Sequence, residues 1–126
     1  MSKFILRRIS SGYKFDLKAA NGQTVATSEV YDTRAACLKG IESVRNCALM
    51  AGVEDQTVDF RPLPHPKFEL FQDKAGQFRF RLKARNGKII AVSESYSTKA
   101  GCENGIESVR KNAPDGTTEE IPAAES

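Results

Sequence analysis

A chain of 126 residues with a formal net charge of +3, 40% hydrophobic and 28% charged residues has the makeup of a globular domain. No apolar run approaches the roughly 20 residues a membrane-spanning helix needs, and the segment from Met1 to Arg8 lacks the long apolar core of a secretory signal. Nothing directs the chain outward, so the expected location is the cytoplasm, and three cysteines without CxxC spacing fit reduced thiols better than a disulfide framework.

The first short run, Phe4 to Arg8, reads as a strand, followed by a turn at Ser10-Ser11-Gly12. Tyr13, Phe15, Leu17 and Ala19 alternate with polar residues, which predicts a half-buried strand. Asn21-Gly22 then suits a two-residue hairpin, because that turn needs positive φ at both central residues; the register it implies places Lys18 opposite Val25. A helix is expected from Thr33 to Met50, capped by Asp32 or Thr33. Its apolar residues Cys37, Ile41, Val44 and Ala48 are spaced on one helical face. Gly40 sits mid-helix at a cost of about 1 kcal/mol relative to Ala, which implies a close approach of the helix to its neighbours. Gln56 to Phe60 is a candidate closing strand, and Pro62 to Pro66 a stiff linker.

The pattern then repeats. Tyr13 to Ala48 lies on Phe78 to Ala113 with a constant offset of 65, and more than half of the aligned positions are identical. Phe80-x-Leu82-Lys83-Ala84-x-Asn86-Gly87 answers Phe15-x-Leu17-Lys18-Ala19-x-Asn21-Gly22, and Gly105-Ile106-Glu107-Ser108-Val109-Arg110 answers Gly40-Ile41-Glu42-Ser43-Val44-Arg45. Lys67-Phe68 matches Lys3-Phe4 at an offset of 64, so one extra residue sits in the turn Asp73 to Gly76. The second copy therefore predicts strands around Phe68–Phe71 and Phe78–Ala84, a third strand with Ile90 opposite Lys83, a helix Thr98–Asn112 and a closing strand Thr117–Ile121. The organisation is repeat 1 over 1–61, linker 62–66, repeat 2 over 67–121 and a disordered tail 122–126. A unit below about 60 residues is marginal alone, so the copies are expected to pack as one α+β domain, a monomer with an internal pseudo-dimer.

The strings G-x-[YF]-x-F-x-L-K-A-x-N-G, S-E-x-Y and G-I-E-S-V-R, present in both copies, resemble the YegP-like family, small bacterial proteins of unknown function. The resemblance covers nearly the whole chain. It implies two tandem β3-α-β repeats that form one antiparallel sheet packed on two helices, related by a pseudo-twofold axis. It also implies that the C-terminal strands are exchanged, Gln56–Phe60 crossing to the second repeat and Thr117–Ile121 returning to the first. The family carries no established catalytic or binding residues to transfer.

Chemistry is sparse. His65 is the lone histidine and lies between prolines, so a triad or a histidine-based metal site is hard to assemble. Gly12 and Gly76 stand outside any phosphate-cradling spacing, and no cofactor or metal is expected. Cys47, which faces Asn112 in the alignment, is the cysteine that would be reactive if any is. Ser28, Glu29 and Tyr31, with Ser93, Glu94 and Tyr96, form a possible polar cluster at each strand-to-helix turn; the plain reading is backbone hydrogen bonding there. Glu42 and Glu107 fall off the apolar helix face, beside Arg45 and Arg110.

The stronger candidate is the sheet face away from the helices. It is expected to carry Arg79, Arg81, Lys83 and Arg85, with Lys88 opposite, in the second copy, and Lys14 and Lys18 in the first. Cations among aliphatics suit an acidic or phosphate-bearing partner, although long cationic side chains also cover apolar surface without any partner. The favoured function is a non-enzymatic interaction module that binds a protein or acidic ligand through this face. Weak nucleic-acid binding is the alternative, against which the face shows no aromatic stacking platform. An enzyme built on the Ser/Glu/Tyr turn is the second alternative.

Overall fold

The computed structural model describes residues 2–121; the tail assigned to 122–126 lies outside them. Strands β1 (Lys3–Ile9), β2 (Gly12–Lys18) and β3 (Thr24–Thr27) lead into helix α1 (Arg34–Ala48) and strand β4 (Gly52–Asp55). The second repeat follows as β5 (Lys67–Gln72), β6 (Phe78–Lys83), β7 (Ile89–Val92), α2 (Lys99–Asn112) and β8 (Thr117–Ile121). All eight strands form one sheet in the order β4-β5-β6-β7-β3-β2-β1-β8.

The sheet is mixed rather than wholly antiparallel. β4 pairs in parallel with β5, and β8 in parallel with β1. The strand that closes the first repeat is Gly52–Asp55, not Gln56–Phe60. Ala51 and Gln56 bracket it with main-chain bonds to Cys47 and Leu70, so the chain enters the sheet soon after α1 ends. At the centre, Thr27 of β3 pairs with Val92 of β7. These two residues are equivalent in the repeat, so the pseudo-twofold axis passes through their contact.

Both hairpin turns depart from the two-residue form. Gly22 (φ 85°) and Gly87 (φ 82°) take positive φ, but Asn21 and Asn86 do not. Gly22 N–H donates to the Ala19 carbonyl and Ala19 N–H to the Gln23 carbonyl, a longer turn closed by a bulge. The register consequently slips after Leu17 and Leu82: Lys18 pairs with Thr24 and Lys83 with Ile89. Val25 and Ile90, expected on the open face, are instead buried in the core.

Both helices lie on one face. Thr33 and Thr98 cap them, their hydroxyls accepting from Ala36 N–H and Gly101 N–H. α1 packs on β1 and β2 and also on β7, while α2 packs on β5 and β6 and also on β3. Neither repeat closes its own core. Phe4, Phe15, Phe68 and Phe80 are fully buried between the layers, each burial worth about 1.5–3 kcal/mol. Arg45 donates to the Gly116 carbonyl and lies 4.9 Å over the Phe4 ring; Arg110 does the same with the Ala51 carbonyl and Phe68. Each helix thereby anchors the strand entry of the other repeat.

The mid-helix glycines have a specific cause. A Cβ on Gly40 would stand 2.3 Å from the Tyr31 hydroxyl, and one on Gly105 would stand 2.3 Å from the Tyr96 hydroxyl. The rings of Tyr31 and Tyr96 stack on Phe15 and Phe80, so each tyrosine fills the space its glycine leaves.

Candidate functional site

Among the described residues, no helix packs on the face opposite α1 and α2, which the connector reaches at Glu54. One row of residues crosses all eight strands by direct register: Glu119, Ile5, Asp16, Thr27, Val92, Arg81, Glu69 and Glu54. Above and below it stand Lys3 and Lys18, Arg7 and Lys14, Lys67 and Lys83, and Phe71 and Arg79.

The two halves of this face differ in how their charges are held. In the second, Glu69 is buried and accepts from Arg81 at 2.5 Å, with Lys67 and Lys83 each 3.3 Å away. Lys67 also reaches Glu54 at 2.8 Å. Burial alone would raise the Glu54 carboxyl, but Lys67, Gln56 and the Leu63 N–H hold it down at about 2. The same opposition acts on Glu69, where Arg81 and Lys83 outweigh burial. The connector contributes directly, since Leu63 N–H donates to Glu54 at 2.7 Å. In the first half, Arg7 binds Asp16 at 3.0 Å and Lys3 binds Glu119 at 3.2 Å. Lys14 and Lys18 have no acidic partner among the described residues.

Of the residues expected on this face, Lys14, Lys18, Arg79, Arg81 and Lys83 are there. Arg81 and Lys83 both pair with Glu69, and Arg79 donates to the Ser93 carbonyl. Arg85 is not on the face. β6 ends at Lys83, and Arg85 sits in the following turn beside α1, where it lines a recess with Ser43, Asn46 and Cys47 and reaches Met50 Sδ at 3.1 Å. Lys88 lies in the same turn, exposed. An aromatic ring does project here: Phe71, overlooked in the sequence because its alternation with Phe68 and Leu70 was not followed to the strand end. The Arg81 guanidinium stacks over it at 4.5 Å, and the ring is half-buried. Glu69, the residue that organises the second half, was also overlooked. The signal was its place two residues after Lys67, in phase with the cations of β6.

At each strand-to-helix turn the serine hydroxyl of the expected polar cluster is committed to the backbone. Ser28 Oγ accepts from Phe15 N–H at 2.9 Å and donates to the Glu29 carbonyl at 2.7 Å; Ser93 does the same with Phe80 and Glu94. Tyr13 and Tyr31 exchange main-chain bonds, as do Phe78 and Tyr96. Burial, then Cys37 and Glu29, raises the Tyr31 phenol above its usual range, which favours the neutral form. Burial likewise raises the Cys37 and Cys102 thiols to about 11, far from thiolate chemistry. Glu29 and Glu94 are exposed. Glu42 and Glu107 pair with Arg45 and Arg110. Among the described residues, no group of three or more His, Cys, Asp or Glu is arranged to hold a metal, and no helix is long and apolar enough to cross a membrane.

A pseudo-symmetric pair of four-stranded units, each with a helix packed on one side of a shared sheet, defines a duplicated α+β class of small domain. The model for a domain of unknown function, DUF1508, matches residues 10–55 and 73–120, one copy in each repeat. The chain belongs to this family. A UPF0339 protein of Pseudomonas aeruginosa is 35% identical over 115 residues, covering 90% of this chain and 92% of the relative. The UPF0339 protein YegP of Escherichia coli O157:H7 is 36% identical over 113 residues, with 87% of each chain covered. A UPF0339 protein of Treponema denticola is 64% identical over 55 residues, which is 44% of this chain but 95% of that relative. The solution structure of YegP from E. coli, described as a protein of unknown function, superposes with a TM-score of 0.81 at 32% identity, covering 99% of this chain and 96% of that one.

Proposed function

We propose that this chain is a non-enzymatic binding module that docks an acidic segment of another protein on its open sheet face. The observation that carries this reading is the pair Lys14 and Lys18. They stand on the helix-free face beside Arg7 and Lys3, without acidic partners among the described residues, whereas their counterparts in the second half are engaged, Lys83 by Glu69 and Arg79 by the Ser93 carbonyl. A net cationic face disfavours association with a second copy of itself and favours an acidic partner. The Ser/Glu/Tyr turn supports catalysis poorly, because its serine hydroxyls are already bonded on both sides. A single half-buried ring, Phe71, already occupied by Arg81 on one side, is a poor stacking platform for nucleic acid.

The test is fluorescence anisotropy with a labelled oligoglutamate peptide. Binding should weaken steeply with salt and fall roughly tenfold or more in a Lys14→Glu/Lys18→Glu variant. Lys111→Glu, on the helix side, should leave it unchanged. Absence of binding at low salt, or equal loss in both variants, would overturn the reading. Tighter binding of single-stranded oligodeoxythymidylate than of oligoglutamate would replace it with the nucleic-acid alternative.

A further inference from the structure

The helix side carries a cleft that the docking face does not involve. It runs along α2, between that helix and the β2–β3 hairpin of the other repeat. Two adjoining spaces of about 470 Å³ and 220 Å³ share Ala19, Asn21, Asn104 and Ser108 as walls. Together they fall within the roughly 300–1,000 Å³ typical of small-molecule sites. Asn104, Ser108 and Asn112 recur along one stripe of the helix, Asn21 and Gln23 face them from the hairpin, and Tyr96 lines the end near Gly105.

These groups leave donors and acceptors side by side. Asn21 Oδ1 accepts from Gln23 N–H, which leaves its amide N–H groups unused. The Asn112 amide nitrogen donates to the Ser108 carbonyl at 2.8 Å, which leaves its Oδ1 as an acceptor. The Asn104 amide and the Tyr96 hydroxyl have no partner among the described residues. Charge is nearly absent: Glu107 is paired with Arg110, and Lys111 is the one cation in the lining.

We propose that this cleft binds a neutral polyhydroxylated small molecule of mono- or disaccharide size. A carboxamide presents one donor and one acceptor in a fixed plane, which matches the paired hydroxyls of a vicinal diol. Several amides converging on one cleft with no net charge select such a ligand over an ion. The counterpart recess, between α1 and the β6–β7 turn, is smaller and is lined by Arg85 and Cys47 where this cleft has Ala20 and Asn112. At the equivalent positions the other repeat carries Lys39 for Asn104, Lys88 for Gln23 and Cys47 for Asn112, which replaces neutral amides with cations and a thiol.

The experiment is a ¹⁵N-resolved NMR titration of the whole chain with maltose and, separately, myo-inositol, with sodium phosphate as the charged control. The expected result is saturable shifts of the Asn21 and Asn104 side-chain amides at millimolar ligand, without matching shifts at Asn86. Asn104→Lys, which copies the other repeat, should abolish them, and Lys39→Asn should not. No saturable shift with either neutral probe overturns the proposal, as do shifts that survive Asn104→Lys or a response to phosphate alone. Because the cleft and the cationic face lie on opposite sides of the sheet, failure here leaves the oligoglutamate result intact.

Discussion

The two halves of the sheet hold the same ion pair in opposite surroundings. Lys67 meets Glu54 at 2.8 Å with side chains 8% and 2% exposed, whereas Lys3 meets Glu119 at 3.2 Å with side chains 42% and 57% exposed. Two changes produce the difference. Glu69 takes the position that Ile5 holds in the first half, and the connector lays Leu63 against Glu54. The helix-facing core is thus the same in both copies, while one half of the open face carries a buried charge network and the other more exposed pairs. A repeated sequence need not mean a repeated site.

The comparison is broken most severely at the lysines. Lys67→Ala leaves Glu54 and Glu69 buried without their shared cation and should cost about 3–5 kcal/mol. Lys3→Ala removes one partner of a solvated pair and should cost about 0–1 kcal/mol. Urea unfolding of the two variants measures both. Equal losses would mean that burial does not distinguish the halves.

A second contrast is sharper because the halves are nearly identical there. Gly40→Ala and Gly105→Ala each drive a methyl group into a tyrosine hydroxyl whose ring is stacked on phenylalanine. Ala is the better helix former by about 1 kcal/mol, but overpacking costs about 1–3 kcal/mol, so both variants should lose stability. Gly105→Ala should lose more, since Phe80 also crowds that site at 3.0 Å. Tyr31→Phe should restore part of the Gly40→Ala loss. Two neutral variants would show that the tyrosines move aside freely.

What the sequence disclosed follows the range of the interactions. The repeat, the caps at Thr33 and Thr98 and the buried stripe Cys37, Ile41, Val44 and Ala48 depend on near neighbours, and all are observed. The slip at Lys18 was hidden because Asn-Gly serves two turn geometries, and choosing between them depends on how the strands twist around the turn. β4 was misplaced because its partner is β5, across the connector, so no local alternation marks it. The reason for Gly40 needs Tyr31 brought over it by the fold. The open face was legible as a list of cations. It was not legible as a charge balance, because the neutralising Glu69 and Glu54 come from strands whose order the sequence does not state.

The last prediction concerns acid. Glu54 titrates at about 2 in the folded chain against an ordinary value of 4.5, so its carboxylate is favoured by folding. That contribution is complete above about pH 4.5 and is lost as pH falls toward about 2. Glu69 is shifted in the same direction and adds to the same limb. One such group changes stability by at most about 1.4 kcal/mol per pH unit. Glu54→Gln is less stable at neutral pH because Lys67 loses a charged partner, but its stability should fall less steeply between pH 4.5 and 2, so the curves converge on acidification. Unfolding midpoints across that range decide it. Parallel curves would show that the buried pair carries no proton linkage, and the closed half of the face would then be held by packing of the connector instead of by charge.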